Sequence, residues 1–433
     1  MHGHSSDTII ALSSGSLPSG VAVIRLSGPL SRQFLLEHTG GVPSPRRLTL
    51  AEIRDGDLVL DRGLVAFFPA PNSFTGEDCA ELHMHGSKAA VRAILRLATG
   101  KAGIRLAEAG EFTRRAFENG KLDLTEAEGL GDLLAAETES QRALAVARAA
   151  GGLSQQIDAW RETLLDLRAE IEARLDFSDE GDVGAELPEG FFTMLGALRR
   201  DLRQALSGVE SGRIIREGFR IALAGPPNAG KSSLLNALAK SDLAIVSPEA
   251  GTTRDVREVA LEIGGFLVIL LDMAGLRDTD SLAEAEGVRR AKAEIERADL
   301  VLWLVAPDVA AIAPPDTGPV WRIGTKADLG RVAGVEFSIS AETGDGLDQL
   351  MTRIAAHIEA HAPSEGPALF SRERDRAALS QALSVLEQAP LSGAGELLAE
   401  DLRRASTALD RLVGRIDAEQ VLGRLFEGFC IGK

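Results

Sequence analysis

Five short stretches of this chain carry groups suited to holding a nucleotide. Gly225-Pro-Pro-Asn-Ala-Gly-Lys-Ser232 reads G-x-x-x-x-G-K-S. Its glycines let backbone N–H groups turn inward around phosphate oxygens. Lys231 can reach the β and γ phosphates, and the Ser232 hydroxyl can ligate Mg²⁺. Gly251-Thr-Thr-Arg-Asp255 offers Thr253 as a second Mg²⁺-ligating hydroxyl. Asp272-Met-Ala-Gly275 closes an apolar run, where the carboxylate can hold the Mg²⁺ water shell and the Gly275 N–H can meet the γ-phosphate. In Thr325-Lys-Ala-Asp328 the aspartate can accept two hydrogen bonds from a guanine edge, and Ser340-Ala341 stands where a base-binding loop closes such a pocket. Five elements in this order specify a GTPase rather than accidental loops.

Expected nucleotide contacts fall on the loop residues Asn228, Ala229, Gly230, Lys231, Ser232 and Ser233, then on Ser247, Pro248, Glu249, Ala250, Gly251, Thr252 and Thr253. They continue through Asp272, Met273, Ala274 and Gly275 to Thr325, Lys326, Ala327, Asp328, Ser340 and Ala341. Two positions change the expected chemistry. After Gly275 comes Leu276, where many GTPases place a glutamine to orient the attacking water, so water must be positioned from elsewhere. Asn228 is either a ligand for a monovalent cation beside the phosphates or simply a good turn former.

These groups need a strand–loop–helix scaffold. Phe219–Ala224 reads as a buried strand before the loop and Ser233–Leu238 as the start of a helix. Phe266–Leu271, Leu300–Val305 and Trp321–Gly324 supply further strands of a parallel α/β sheet. This nucleotide domain is expected over 216–365, with Pro363 and Pro367 marking its end. Before it, an α+β domain over 1–121 is read from strands at Thr8–Leu12, Val21–Leu26, Leu48–Ile53, Leu58–Leu60 and Leu64–Phe68. Asp78–His85 follows, alternating Ala80, Leu82 and Met84 against Cys79, Glu81, His83 and His85, and then a helix over Ser87–Thr99. From Thr125 the apolar spacing becomes helical. A capping box at Thr125-Glu-Ala-Glu128 is expected to open a helix that Gly151-Gly152 ends. Helical segments over 122–215 and 366–433 read as two halves of one bundle, into which the nucleotide domain is inserted.

The formal charge of −17 argues against a broad phosphate-tracking surface, so any nucleic-acid role must be local or shared with a partner. Two cysteines, Cys79 and Cys430, cannot make a disulfide framework, which points to a reducing, cytoplasmic setting. No signal peptide and no membrane span are expected from the apolar runs.

The chain resembles the MnmE (TrmE) family of tRNA modification GTPases over essentially its full length. Gly225–Ser233 with Asn228, Gly251–Asp255 and Asp272–Leu276 carry the likeness within the nucleotide domain. Outside it, Asn72-Ser-Phe-Thr-Gly-Glu-Asp78, Gly110-Glu-Phe-Thr-Arg-Arg-Ala-Phe117, Lys121-Leu-Asp-Leu124 and the terminal Phe429-Cys-Ile-Gly-Lys433 separate it from other small GTPases. The resemblance implies a folate-binding α+β N-terminal domain, an α-helical domain split in sequence and an inserted P-loop GTPase domain. It implies a homodimer that joins MnmG, a flavoprotein carrying FAD and using NADH, in a heterotetramer. Together they would place an aminomethyl or carboxymethylaminomethyl group on carbon 5 of the wobble uridine of certain tRNAs. The carbon would come from 5-formyl- or methylene-tetrahydrofolate. By motif, folate contacts fall on Arg25, Glu81, Lys121 and Lys433; K⁺ on Asn228, Ser247, Glu249 and Thr252; Mg²⁺ on Ser232 and Thr253; and the residue that orients water on Glu284. Three places depart from the family pattern: Thr325 where asparagine is commoner, Met273 for threonine, and Ser13–Gly20 for a loop containing proline and arginine.

Other residues have plainer readings. Glu81, His83 and His85 share a strand face and resemble a metal set, but a polar face lining a ligand site explains them better. Cys430 is a nucleophile or an ordinary buried cysteine, and no local residue supplies its base. Arg114 and Arg115 either touch tRNA or are solvated. The competing function is a GTPase switch in ribosome assembly. Such a protein usually carries a basic G-x-x-G module, which the segment after the nucleotide domain lacks.

Overall fold

The computed structural model describes residues 7–176, 187–245, 258–273, 293–310, 312–314, 318–361, 368–389 and 395–416, and near the C-terminus 423, 425, 426, 428, 429 and 432. Two compact units emerge. One comprises 1–131, 149–159 and 406–433; the other comprises 132–148 and 160–405.

In the first unit β1 (Thr8–Leu12), β2 (Ser19–Ser27), β3 (Thr49–Asp55), β4 (Leu58–Phe68), β5 (Cys79–Gly86) and β6 (Ile104–Leu106) form one sheet in the order β3-β4-β5-β2-β1-β6. Only β6 runs parallel to its neighbour. Period-two alternation decides its faces. Ala22, Ile24, Leu26, Ala80, Leu82 and Met84 bury against α1 (Ser31–His38) and α2 (Lys88–Thr99), through Phe34, Leu35, Val91 and Ile94. Arg25, Glu81 and His83 stand on the other face, partly open. The runs Leu58–Leu60 and Leu64–Phe68 are one strand, because Gly63 continues the ladder opposite Ala51.

After α3 (Glu111–Glu118), the helix expected from Thr125 to Gly151 is two helices: α4 (Leu124–Ala135) and α5 (Glu139–Ala149). The capping box that opens α4 lies two residues earlier than expected. Asp123 Oδ1 accepts from the Thr125 and Glu126 amides at 2.8 and 3.0 Å, while Glu126 Oε2 accepts from the Asp123 amide at 2.8 Å. A second cap at Thr138, whose amide donates to Gln141 Oε1 at 3.1 Å, starts α5. Such T-x-x-Q spacing is a start signal in its own right, and each cap stabilises its helix by about 1 kcal/mol.

The long helices α6 (Gly152–Asp176) and α7 (Glu189–Glu217) follow. In the second unit α10 (Glu373–Gln388) packs along α7, with Arg203 paired to Glu387 at 2.6 Å and the Arg199 guanidinium donating to the Leu386 carbonyl. Trp160 stacks on Phe370 at 5.6 Å. Arg148, fully buried, donates to the Leu369 carbonyl at 2.7 Å and to Ser371 Oγ at 2.9 Å, and pairs with the equally buried Asp375 at 3.4 Å. A further helix is α11 (Gly395–Asp410).

The nucleotide region of that unit is a six-stranded sheet ordered β12-β11-β10-β7-β9-β8. Its strands are β7 (Phe219–Ala224), β8 (Glu258–Ile263), β9 (Phe266–Asp272), β10 (Leu300–Val305), β11 (Val320–Gly324) and β12 (Phe337–Ser338). All neighbours are parallel except β8 and β9, a hairpin that the expected strand set lacks. Its core gathers Ile221, Leu223, Leu270, Leu302 and Ile323 against α8 (Lys231–Ala239) and α9 (Leu347–Glu359), through Leu234, Leu235, Leu350 and Ile354. The central strand β7 has β9 on one side and β10 on the other. The sheet therefore switches direction at the carboxyl end of β7, where open α/β sheets hold their ligands.

Candidate nucleotide-binding site

The loop from β7 to α8 passes so close to β10 that a Cβ on Gly225 would stand 2.4 Å from the Leu304 carbonyl oxygen. Gly225 (φ 141°) and Gly230 (φ 87°) adopt backbone that side chains rarely tolerate, and Asn228 is left-handed at φ 62°. Glycine at 225 and 230 is thus a geometric need. The loop ends as the N-terminus of α8, where free amides and the helix dipole favour an anion. Lys231 is nearly buried, and its Nζ donates to the Gly225 and Pro226 carbonyls at 3.0 and 2.9 Å. The ammonium is thereby curled over the loop that would receive phosphate. Ser232 Oγ donates to Asp272 Oδ2 at 2.8 Å. A hydroxyl and a carboxylate at this spacing are hard oxygen donors that suit Mg²⁺.

On the base side, Asp328 Oδ1 accepts from Ser340 Oγ at 2.6 Å, and that hydroxyl accepts from the Glu342 and Thr343 amides at 3.3 and 3.2 Å. The Ala327 amide donates to the Ile339 carbonyl at 3.1 Å, clamping the two base-side loops together. Lys326, left-handed at φ 52°, pairs with Asp308 at 2.7 Å. Thr325 Oγ1 donates to the Ala229 carbonyl at 2.7 Å, inside the phosphate loop. A cavity of about 260 Å³ joins the two halves, lined by Gly230 and Ser233 of the phosphate side and by Thr325, Asp328, Ser340 and Ala341 of the base side. Leu234, Leu329 and Ile339, which the sequence reading did not single out, supply apolar wall. Their signal was adjacency, since each directly follows or precedes a motif residue.

Ser247, Pro248, Glu249, Ala250, Gly251, Thr252, Thr253, Ala274, Gly275, Leu276 and Glu284 lie outside the described residues, as do Cys430 and Lys433.

In the first unit, register alone brings two folate candidates together. Arg25 on β2 sits opposite Glu81 on β5 and pairs with it at 3.0 Å. Glu81 also meets His83 Nε2 at 3.1 Å, and His85 Nδ1 meets Asp61 at 2.8 Å. Among the described residues no group of three or more His, Cys, Asp or Glu side chains is placed to hold a metal ion. The Arg25 guanidinium lies 5.3 Å from the Phe74 ring centre and 5.7 Å from that of Phe112. Lys121 runs past Gly76 of the same 72–78 segment, where an added Cβ would lie 3.3 Å from its Cγ. Gly432, next to the terminal lysine, receives a hydrogen bond from Ser13 Oγ at 2.8 Å at the end of β1.

Arg115 is buried, not solvated. It reaches Asp7 at 3.0 Å, Glu77 at 3.1 Å and Glu111 at 3.1 Å. Burial alone would raise the Glu111 carboxyl. Hydrogen bonds from Arg105, the Glu108 amide and Arg115 outweigh it and hold the group below the usual carboxylate range. Arg114 is exposed enough to pair loosely with Glu108 at 3.3 Å.

The family model of the MnmE helical domain matches residues 124–430, and that of the GTP-binding protein TrmE N-terminus matches 8–121. A tRNA modification GTPase MnmE of Azorhizobium caulinodans is 51% identical over 436 residues, covering 99% of both chains. Those of Rhizobium johnstonii and Brucella canis are 49% and 47% identical, each covering 99% of this chain and 99% and 98% of their own. The chain belongs to the MnmE family of tRNA modification GTPases. As an MnmE-family chain it is multidomain, joining an N-terminal domain, a helical domain and a P-loop nucleotide fold. Among the described residues no helix is long and apolar enough to cross a membrane.

Proposed function

We propose that this chain is a K⁺-activated GTP hydrolase that works with the FAD-carrying flavoprotein MnmG. Together they modify carbon 5 of the wobble uridine of certain tRNAs to an aminomethyl or carboxymethylaminomethyl group. A tetrahydrofolate derivative supplies the carbon, residues 1–121 bind it and pair two copies of the chain, and the complex acts in the cytoplasm. The observation that carries the nucleotide part is the single cavity shared by Gly230 and Ser233 with Thr325, Asp328 and Ala341. The names of the relatives support the tRNA part.

In this reading Lys231 leaves the Gly225 and Pro226 carbonyls for the β and γ phosphates, while the amides at the start of α8 hold their oxygens. Ser232 and Thr253 would hold Mg²⁺ and Asp272 its water shell, with Ser232 giving up its hydrogen bond to Asp272. That ion neutralises charge on the phosphates when bound. Asp328 accepts the guanine ring N–H and amino hydrogens. Leu276 cannot hold water, so Glu284 orients it. Asn228, with Ser247, Glu249 and Thr252, would hold K⁺, which would supply the positive charge that an arginine supplies in other systems. Arg25, Glu81, Lys121 and Lys433 bind the folate, and Cys430 is the candidate nucleophile.

Turnover of GTP in KCl and in NaCl tests the mechanism. A rate at least about tenfold higher in KCl is expected, with the difference abolished by Asn228→Ala. Glu284→Ala should lower turnover in both salts with nucleotide still bound. Equal rates in the two salts would remove K⁺ from the account. Loss of the wobble-uridine modification in tRNA from a deletion strain tests the pathway.

A further inference from the structure

We infer that Thr325 is a positioning residue that ties the phosphate loop to the base loop, and that position 325 offers no hydrogen-bond donor to N7 of a bound guanine. The inference rests on reading the shared cavity as a guanine-nucleotide site.

Thr325 follows β11 and is 5% exposed. Its amide donates to the Val305 carbonyl at 2.8 Å, and its Oγ1 lies 2.7 Å from the Ala229 carbonyl oxygen and 3.2 Å from that of Val305. Both oxygens can only accept, and a threonine hydroxyl carries one hydrogen. That hydrogen therefore stays within the protein, on the nearer oxygen of Ala229. Ala229 sits between left-handed Asn228 and Gly230, in the stretch that must hold its shape for the amides to face phosphate. The contact is close on the carbon side too: a Cβ on Gly230 would lie 3.5 Å from Thr325 Cβ and Oγ1.

An asparagine side chain carries two amide hydrogens. It can hold the Ala229 carbonyl with one and offer the other to the acceptor N7 of a purine. Threonine can do the first and not the second. Guanine is then identified along its N1–H and amino edge by Asp328, and N7 is left to solvent. The departure at position 325 removes base readout and keeps the loop-to-loop tie.

Titration calorimetry on the full chain with GDP and 7-deaza-GDP tests this, with the unchanged protein and Thr325→Ser, Thr325→Val and Thr325→Asn. The unchanged protein should bind the two nucleotides within about twofold of each other, since no hydrogen bond to N7 is lost. Thr325→Ser, which keeps the hydroxyl, should retain the affinity for GDP. Thr325→Val should weaken both nucleotides equally by about tenfold, because the Ala229 carbonyl loses its donor. Thr325→Asn should acquire a preference for GDP over 7-deaza-GDP of about fivefold.

Should Thr325→Val not fold, the 7-deaza comparison in the unchanged and Asn proteins still decides. A tenfold preference for GDP in the unchanged protein, a folded Val variant that binds GDP normally, or an Asn variant indifferent to N7 would each overturn the inference. Failure of the unchanged protein to bind GDP at all would instead overturn the nucleotide-site reading, and the inference with it.

Discussion

The nucleotide cavity and the Arg25–Glu81 site are built in different ways. The phosphate side of the cavity is mostly backbone, shaped by glycines within one strand–loop–helix turn, and its side chains rest on partners a ligand would replace. Lys231 lies on two carbonyls of its own loop, and Ser232 on Asp272. The Arg25–Glu81 site is side chain on side chain, joined across two strands whose residues stand 56 apart in sequence. Its charges are already paired, and Arg25 is bracketed by Phe74 and Phe112. A site made of local backbone announces itself as a motif. One made by strand register shows itself only when the strands are paired.

That contrast yields predictions of decreasing size. Lys231→Ala removes the one flexible cation of the phosphate loop and should lower GTP hydrolysis by about 100-fold or more, measured as phosphate release. In the helical part, Arg148→Ala removes the closer guanidinium from fully buried Asp375, which keeps Arg374 at 3.9 Å and the Ser371 and Arg372 amides at 3.0 and 3.1 Å. It should cost about 3 kcal/mol in urea unfolding, far more than loss of the exposed Arg203–Glu387 pair, which should cost under about 1 kcal/mol. Arg25→Ala should weaken binding of a reduced folate by about tenfold while leaving GTP hydrolysis near the unchanged rate. Unaltered folate binding would strike Arg25 from that site.

The smallest effect is on pH. The Glu111 carboxyl is held below its ordinary value of 4.5, and that of Asp7, where burial is again outweighed by Arg105 and Arg115, below 3.8. Both bind fewer protons folded than unfolded. Their stabilisation is thus fully present above those ordinary values and is lost as pH falls below them. Glu126 opposes this, since burial, together with the nearby Asp123 charge, raises its carboxyl. Glu111→Gln should flatten the acid-side fall of the first unit's unfolding midpoint.

How much was legible follows from the same physics. The strands Thr8–Leu12, Phe219–Ala224 and Leu300–Val305 match the apolar runs residue for residue, because burial on the inside of a sheet selects such runs. Strand β8 was missed although buried Val259, Leu261 and Ile263 alternate with Glu258, Ala260 and Glu262, the period-two pattern of a strand with one buried face. The α4–α5 break falls where the apolar spacing stops, in the polar run Glu137–Arg142, and the cap at Thr138 marks the new start. In the site, Asp328 and Ser340 could be paired from motif order. The Thr325 bond to Ala229 spans 96 residues, and no spacing encodes it. Arg115 looked like a surface charge from sequence, since the Asp7, Glu77 and Glu111 carboxylates that bury it come from three separate segments.

The central claim, that the shared cavity reads guanine through Asp328, is tested most directly by nucleotide competition on Asp328→Asn. An aspartate accepts from the guanine ring N–H and amino group, whereas an asparagine can instead donate to the carbonyl oxygen that xanthine carries in place of that amino group. The unchanged protein should prefer GDP over xanthosine diphosphate, and the variant should lose GDP affinity by about 100-fold while gaining the xanthosine nucleotide. A variant that binds GDP as tightly as the unchanged protein, with no gain for xanthosine diphosphate, would contradict the account.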